Sequence, residues 1–304
     1  MRVLVTGGNG FIGSWVCRLL LEQEHDVRVF DTHDDRTLFH DIVGTLENRP
    51  IERVVGDIAD LGVVSDAVDG CDAVVHLAGW LLPACREDPI GGARVNLLGT
   101  LCLFEAARKR PLSGGIAFAS TAAVFGPDDG EFPHPNNHYG AYKLCTEGNA
   151  RAYWLDAGIR SVAFRPWTVY GPGRWYGMTA GPTLAMRAAA EGKPYAIPFT
   201  GLTGMDYVSD VAAAFVTGAT QPPKGAFAFS LAGVVASTDD IIAAIREVVP
   251  SAQITAAGPR LGIAPELDEG TLRDVFPNLP RTSLTAGTQN TIEFYQRLGV
   301  SAAK

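Results

Sequence analysis

The chain has 304 residues, 47% hydrophobic and 19% charged, with a formal net charge of -8 and a pI near 5.3. That length can bury a large core, in one domain or in a main domain carrying a smaller one, while the acidic balance argues against nucleic acid as a partner, since phosphate-backbone binders gather Lys and Arg on one face. No apolar run approaches the ~20 residues that span a bilayer, and Met1 passes almost directly into a strand without room for a signal peptide, so the expected setting is cytoplasmic.

In chain order, the short apolar run Val3-Leu4-Val5 leads into Thr6-Gly7-Gly8-Asn9-Gly10-Phe11-Ile12-Gly13 and then into a helical segment at 14–21. A strand, a glycine turn and a helix start form a phosphate site: glycines admit a tight turn and close backbone approach, and the first-turn N–H groups point at an anion. Further strands are expected at 27–30, 53–55, 73–77, 116–119 and 161–164, with helices at 36–46, 61–68, 90–110 and 139–156 between them. Such alternation predicts an α/β fold, a doubly wound parallel Rossmann sheet covered by helices. Beyond Pro166 the composition turns to Gly, Pro and aromatics, and the alternation becomes irregular. Helices are expected at 182–191, 209–217, 238–248 (capped by Ser237 or Thr238, stopped by Pro250) and 286–298, with strands at 206–208 and 226–231. The expected division is a Rossmann domain over 1–170, with 205–232 returning to it, and a smaller α/β C-terminal substrate lobe from 171–204 and 233–304. The five cysteines, at 17, 71, 85, 102 and 145, form no C-x-x-C pair and read as reduced small residues, with no metal site.

Asp31 ends the second strand, 18 residues after Gly13, where a carboxylate accepts hydrogen bonds from the adenosine ribose and repels a 2'-phosphate. That favours NAD over NADP, although Arg36 lies close by. Asp57, in Gly56-Asp57-Ile58, is placed either to meet the adenine edge or to cap a helix. Tyr139 and Lys143 are four apart and share a helix face. Using a tyrosine at neutral pH asks for roughly 4 kcal/mol of selective phenolate stabilisation, which an ammonium one turn away helps to supply. At the end of the fifth strand stand Ser120 and Thr121. One of these hydroxyls can hold a substrate oxygen beside the tyrosine, and as strand neighbours they face opposite ways.

These residues resemble the extended short-chain dehydrogenase/reductases, the NAD-dependent epimerase/dehydratase family. The resemblance also covers His76-Leu77-Ala78-Gly79, Val95-Asn96-Leu97-Leu98-Gly99-Thr100 and Arg165-Pro166-Trp167-Thr168-Val169-Tyr170-Gly171-Pro172-Gly173. It implies Tyr139 as the acid/base, Lys143 as the holder of the nicotinamide ribose, and Thr121 as the catalytic hydroxyl. NAD would be bound by Gly7, Asn9, Gly10, Phe11, Ile12, Gly13, Asp31, Asp57, Ile58, Leu77, Ala78, Gly79, Asn96, Pro166 and Trp167 together with Tyr139 and Lys143. The family often dimerises through the helices at 90–110 and 139–156, so a homodimer is expected. Family dehydratases carry Asp-Glu after the catalytic hydroxyl, whereas Ala122 and Ala123 follow here. Epimerases commonly have Asn where Thr168 stands, and a basic residue near Thr203, Gly204 and Met205. Arg174, Arg187 and Arg260 are candidate anion binders or structural residues. The expected function is reversible hydride transfer between NAD and a secondary alcohol or ketone of a sugar-like or other polar small molecule. The alternatives are a nucleotide-sugar 4-epimerase that retains NAD, and a dinucleotide-binding regulator without catalysis.

Overall fold

β-Branched and aromatic runs of four to six residues, each followed by a segment with helical spacing, make the first half of the chain wind back and forth across one sheet. The computed structural model describes residues 1–126, 132–231, 233–261 and 268–302. In order come β1 (Arg2–Thr6), α1 (Phe11–Glu22), β2 (Asp26–Asp31), α2 (Thr37–Val43), β3 (Ile51–Val55), α3 (Leu61–Val68), β4 (Ala73–His76), α4 (Leu82–Glu87), α5 (Pro89–Ala93), α6 (Gly99–Lys109), β5 (Ile116–Ala119), α7 (His138–Ala157) and β6 (Ser161–Arg165). The remainder comprises β7 (Thr168–Tyr170), α8 (Gly181–Ala190), β8 (Tyr195–Ile197), β9 (Leu202–Tyr207), α9 (Val208–Thr220), β10 (Ala226–Ser230), β11 (Val234–Ser237), α10 (Thr238–Val248), β12 (Ile254–Ala256), α11 (Leu272–Val275) and α12 (Leu284–Ala302).

Seven parallel strands form the main sheet in the order β10-β6-β5-β4-β1-β2-β3. The order reverses between β1 and β4, and at such a switch point the diverging connections leave a crevice at the strand ends. Thr6 pairs with Phe30 on one side and His76 on the other, so the residues that follow all three strands open into that crevice. One face of the sheet buries Val16, Leu20, Val208 and Phe215, and the other Val64, Leu103 and Phe104. A third core holds Tyr170, Met186, Ile197, Ile241, Ile245 and Ile292. It lies among the small sheets β11-β9-β7 and β12-β8 and helices α8, α10 and α12. Each fully buried side chain of this size contributes roughly 1.5–3 kcal/mol relative to exposure.

Several elements depart from the sequence expectations. The helix expected at 36–46 ends at Val43 because Gly44 takes φ 59°, and a 3-10 turn follows over Gly44–Asn48. The helix expected at 90–110 is interrupted by a π turn, Arg94–Leu98, that separates α5 from α6. The strand expected at 206–208 starts earlier and pairs with β7 and β11 rather than with the main sheet, while Val208 already begins α9. Helix α4 and the short strands β7, β8, β11 and β12 gave no periodic signal, being three to six residues long. At α10 the N-cap is Ser237, in a reciprocal box with Asp240.

Gly148 lies exposed within α7, and a Cβ there would meet nothing within 4 Å. Gly148→Ala removes backbone freedom from the unfolded chain at no steric cost, so it is expected to stabilise by about 0.5–1 kcal/mol. The thermal midpoint should rise by about 1–3 °C, and a fall would contradict the open environment.

Candidate active site

The glycine turn is shaped by close packing. A Cβ on Gly13 would lie 2.1 Å from the Gly7 carbonyl oxygen, and Gly7 itself has φ 69°. Helix α1 then starts at Phe11 with Gly10 as an N-cap that lends no side-chain acceptor, so its first-turn N–H groups are left to a ligand anion. Asp31 accepts from the Asn9 N–H at 3.0 Å and the Thr32 N–H at 2.8 Å, which fixes its carboxylate at the mouth of the turn. Arg36 is engaged with Asp34. A 2'-phosphate would therefore meet Asp31 first. Asp31→Ala is expected to reduce the preference for NAD over NADP about tenfold, read as the ratio of the two dissociation constants. An unchanged ratio would place the selectivity elsewhere. Asp57 does not cap α3, for Asp60 does so; Asp57 accepts from the Ala59 N–H and from Arg94 at 2.6 Å, and these bonds hold its carboxyl below the usual range.

Beneath the turn, Thr6, His76 and Thr100 form a buried strut. The Thr100 hydroxyl donates to the Asn96 carbonyl at 2.7 Å, so it must accept from His76 Nε2 at 3.0 Å. His76 Nδ1 is then the bare nitrogen and accepts the Thr6 hydroxyl at 2.7 Å, leaving Thr6 Oγ1 to receive the N–H groups of Leu77 and Ala78. Burial pushes the His76 imidazole down to about 3, with Lys143 adding to the effect, so the ring is neutral. The strut ties the 77–79 segment to the π turn that carries Asn96. Asn96 Nδ2 donates to the carbonyls of Trp80 and Gly92, while its Oδ1 is buried without a partner among the described residues. Gly79 faces that oxygen: a Cβ there would come within 2.6 Å of Asn96 Oδ1 and 3.3 Å of Lys143 Nζ.

Asn137 caps α7 by accepting the Gly140 N–H, which places Tyr139 and Lys143 on the helix's first two turns. Lys143 Nζ lies 5.9 Å from the Tyr139 ring centre. Burial pushes the Lys143 ammonium down to about 8. Burial also pushes the Tyr139 phenol up, to about 12, against the pull of a hydrogen bond from Thr121 and of the Arg174 guanidinium. Thr121 faces this tyrosine, while Ser120 faces away into Glu147, which itself holds Arg165 through two bonds at 2.8 and 2.6 Å. On the far wall, Asp206 accepts the Trp167 N–H at 2.6 Å and the Gly233 N–H, clamping the 166–167 segment; burial pushes its carboxyl up to about 7.

These elements surround one cleft of about 840 Å³, whose lining includes every residue that the sequence nominated as catalytic or cofactor-binding. Sequence reasoning did not nominate Trp80 to Pro83 and Arg86 on and before α4, or Trp175 to Thr179, which also line it. Of the three candidate arginines only Arg174 lines the cleft; Arg187 pairs with Glu191, and Arg260 packs over Gly201. Among the described residues no cluster of His, Cys, Asp or Glu could hold a metal. Among the described residues, no helix is long and apolar enough to cross a membrane.

A parallel sheet with a glycine turn at its switch point, a carboxylate at the mouth of that turn and a Tyr-Lys pair on one helix are the marks of an NAD-dependent enzyme. The chain belongs to the NAD-dependent epimerase/dehydratase family, whose model matches residues 3–228. It is 30% identical over 312 residues to a UDP-glucose 4-epimerase of Mycolicibacterium smegmatis, covering 97% of this chain and 99% of that protein. A 2-alkyl-3-oxoalkanoate reductase of Stenotrophomonas maltophilia is 32% identical over 186 residues, 57% of this chain and 52% of that one. The Thermus thermophilus UDP-glucose 4-epimerase in complex with NAD superimposes with a TM-score of 0.80 at 26% identity, over 97% of this chain and 99% of that one.

Proposed function

We propose that this chain transfers hydride between NAD and a secondary alcohol or ketone of a polar small molecule, with release of the cofactor in each turnover. The observation that carries the reading is that Thr121, Tyr139 and Lys143 line one cleft together, with Lys143 Nζ 5.9 Å from the Tyr139 ring centre. Thr121 positions the substrate oxygen, and Tyr139 takes the hydroxyl proton as the carbinol hydrogen leaves with its electron pair. Lys143 holds the nicotinamide ribose and adds positive potential near the phenol. The turn from Gly7 to Gly13, Asp31 and Asp57 hold the adenosine and pyrophosphate end. When bound, NAD supplies the hydride acceptor. Ala122 and Ala123 offer no carboxylate for eliminating water, so a dehydratase is not favoured.

The second reading is a nucleotide-sugar 4-epimerase, favoured by the epimerases of M. smegmatis and T. thermophilus, which match nearly end to end. The two readings separate on cofactor stoichiometry. Incubation with NAD and panels of alcohols, hydroxy acids and UDP-sugars, followed at 340 nm, should give one NADH per substrate oxidised. Interconversion of UDP-sugars without net NADH would replace the first reading by the second. Two copies are inferred to associate through α5, the π turn, α6 and α7, where Ile90, Leu98 and Leu155 stand exposed, and the setting is inferred to be cytoplasmic.

A further inference from the structure

We propose that Arg174 seats a carboxylate of the substrate, so that the reacting carbon belongs to a hydroxy or keto acid whose remaining body is apolar and packs on the aromatic rim of the cleft. The inference rests on the hydride-transfer reading and narrows its substrate. Arg28, Arg94, Arg165 and Arg187 each reach a carboxylate within 2.9 Å. Arg174, among the described residues, has only the Thr179 hydroxyl at 3.2 Å and the Phe11 ring, 5.6 Å from its Cζ. Its Nε is buried without a partner among the described residues. Gly177, at φ 107°, keeps the side of the guanidinium open, since a Cβ there would stand 2.9 Å from Nη2.

A desolvated cation without a counter-ion is costly, and an anion arriving with its own two oxygens would match the guanidinium fork. Burial pushes Arg174 down to about 10, which leaves it charged at neutral pH. Arg174 and Tyr139 line the same cleft, and the guanidinium's field reaches the phenol, so an anion held there shares the cleft with the acid/base. A diphosphate asks for several cations. Of the other two basic chains on the cleft wall, Lys143 is taken by the nicotinamide ribose in the reading above, and Arg86 is exposed on α4. The mouth is instead formed by Trp80, Leu81, Trp175, Tyr176 and Met178, exposed by 37%, 38%, 65%, 50% and 53%. Large apolar side chains gathered at a cleft rim fit a hydrocarbon body better than a nucleotide.

The test titrates the full chain saturated with NAD against hexanoate and against hexanamide by calorimetry, in the wild type, Arg174→Gln and Arg174→Lys. Hexanoate is expected to bind about 10- to 100-fold more tightly than hexanamide to the wild type, the difference a charged hydrogen-bond pair makes. Arg174→Gln should make the two ligands equal, and Arg174→Lys should keep part of the preference, with NAD affinity unchanged in both. Equal binding of acid and amide by the wild type overturns the proposal. So does a loss of NAD affinity in Arg174→Gln, which would assign the guanidinium to the cofactor's pyrophosphate. A wild type that fails to bind NAD overturns the hydride-transfer reading itself, which is a distinct result.

Discussion

Tyr139→Phe is expected to lower kcat for NAD-linked alcohol oxidation by about 10³-fold or more and to leave NAD affinity nearly unchanged, because in the proposed mechanism it deletes the proton acceptor and keeps the ring. The structure raises the demand on this residue. Burial places the phenol near 12, so reaching neutral pH takes on the order of 7 kcal/mol of further phenolate stabilisation, more than an exposed tyrosine would need. The Thr121 hydroxyl and the Arg174 guanidinium already act within that value, so the remainder has to come from the Lys143 ammonium, 5.9 Å from the ring centre, and from the positive charge of the oxidised cofactor once it is bound. The sign of the pH dependence follows. Oxidation needs phenolate, so kcat/KM rises with pH up to the phenol's pKa in the complex, and reduction shows the opposite slope. In Tyr139→Phe the residual rate should lose this slope. A variant that keeps both rate and slope would remove Tyr139 from the mechanism.

What could be read from the chain was local, and what could not was assembled across it. Gly7 to Gly13, Asp31, Tyr139 and Lys143 act through spacing along one turn, one strand end and one helix face, so their arrangement is written in consecutive letters. Strand alternation showed that Ser120 and Thr121 face opposite ways, but the choice of Thr121 rested on the family resemblance; in the structure it is Ser120 that turns to Glu147. The π turn was invisible because 3.6-residue periodicity runs through it almost unbroken, yet it sets where the Asn96 amide points. Asp206 had no signal of its own; its work on the Trp167 N–H crosses 39 positions. Thr168 and Thr203, which looked like two separate departures from epimerase sequences, are one buried pair whose hydroxyls meet at 2.9 Å. Thr168 is thereby turned into the joint between β7 and β9 rather than toward substrate.

Lys143→Met is expected to cost activity and to gain stability. Lys143 is 4% exposed, and its ammonium is pushed from 10.5 to about 8 by burial. At pH 7 both the folded and unfolded chains hold the proton, so the full burial cost falls on the folded state. Between about 8 and 10.5 the unfolded chain binds more protons than the folded one, and stability rises with pH as that cost is relieved. A methionine of similar length removes the charge, so the variant without cofactor should be more stable at pH 7 by on the order of 1–3 kcal/mol, an advantage that shrinks towards pH 10. Activity should nevertheless fall about 10²-fold or more, and NAD should bind less tightly, because the ribose loses its donor and the phenolate a neighbouring charge. Denaturant melts at pH 7 and pH 10 alongside kcat/KM measure both halves. A variant less stable than the wild type at pH 7 would mean that the ammonium is already well solvated in the folded chain, and the account of a strained cation held ready for the cofactor would fail.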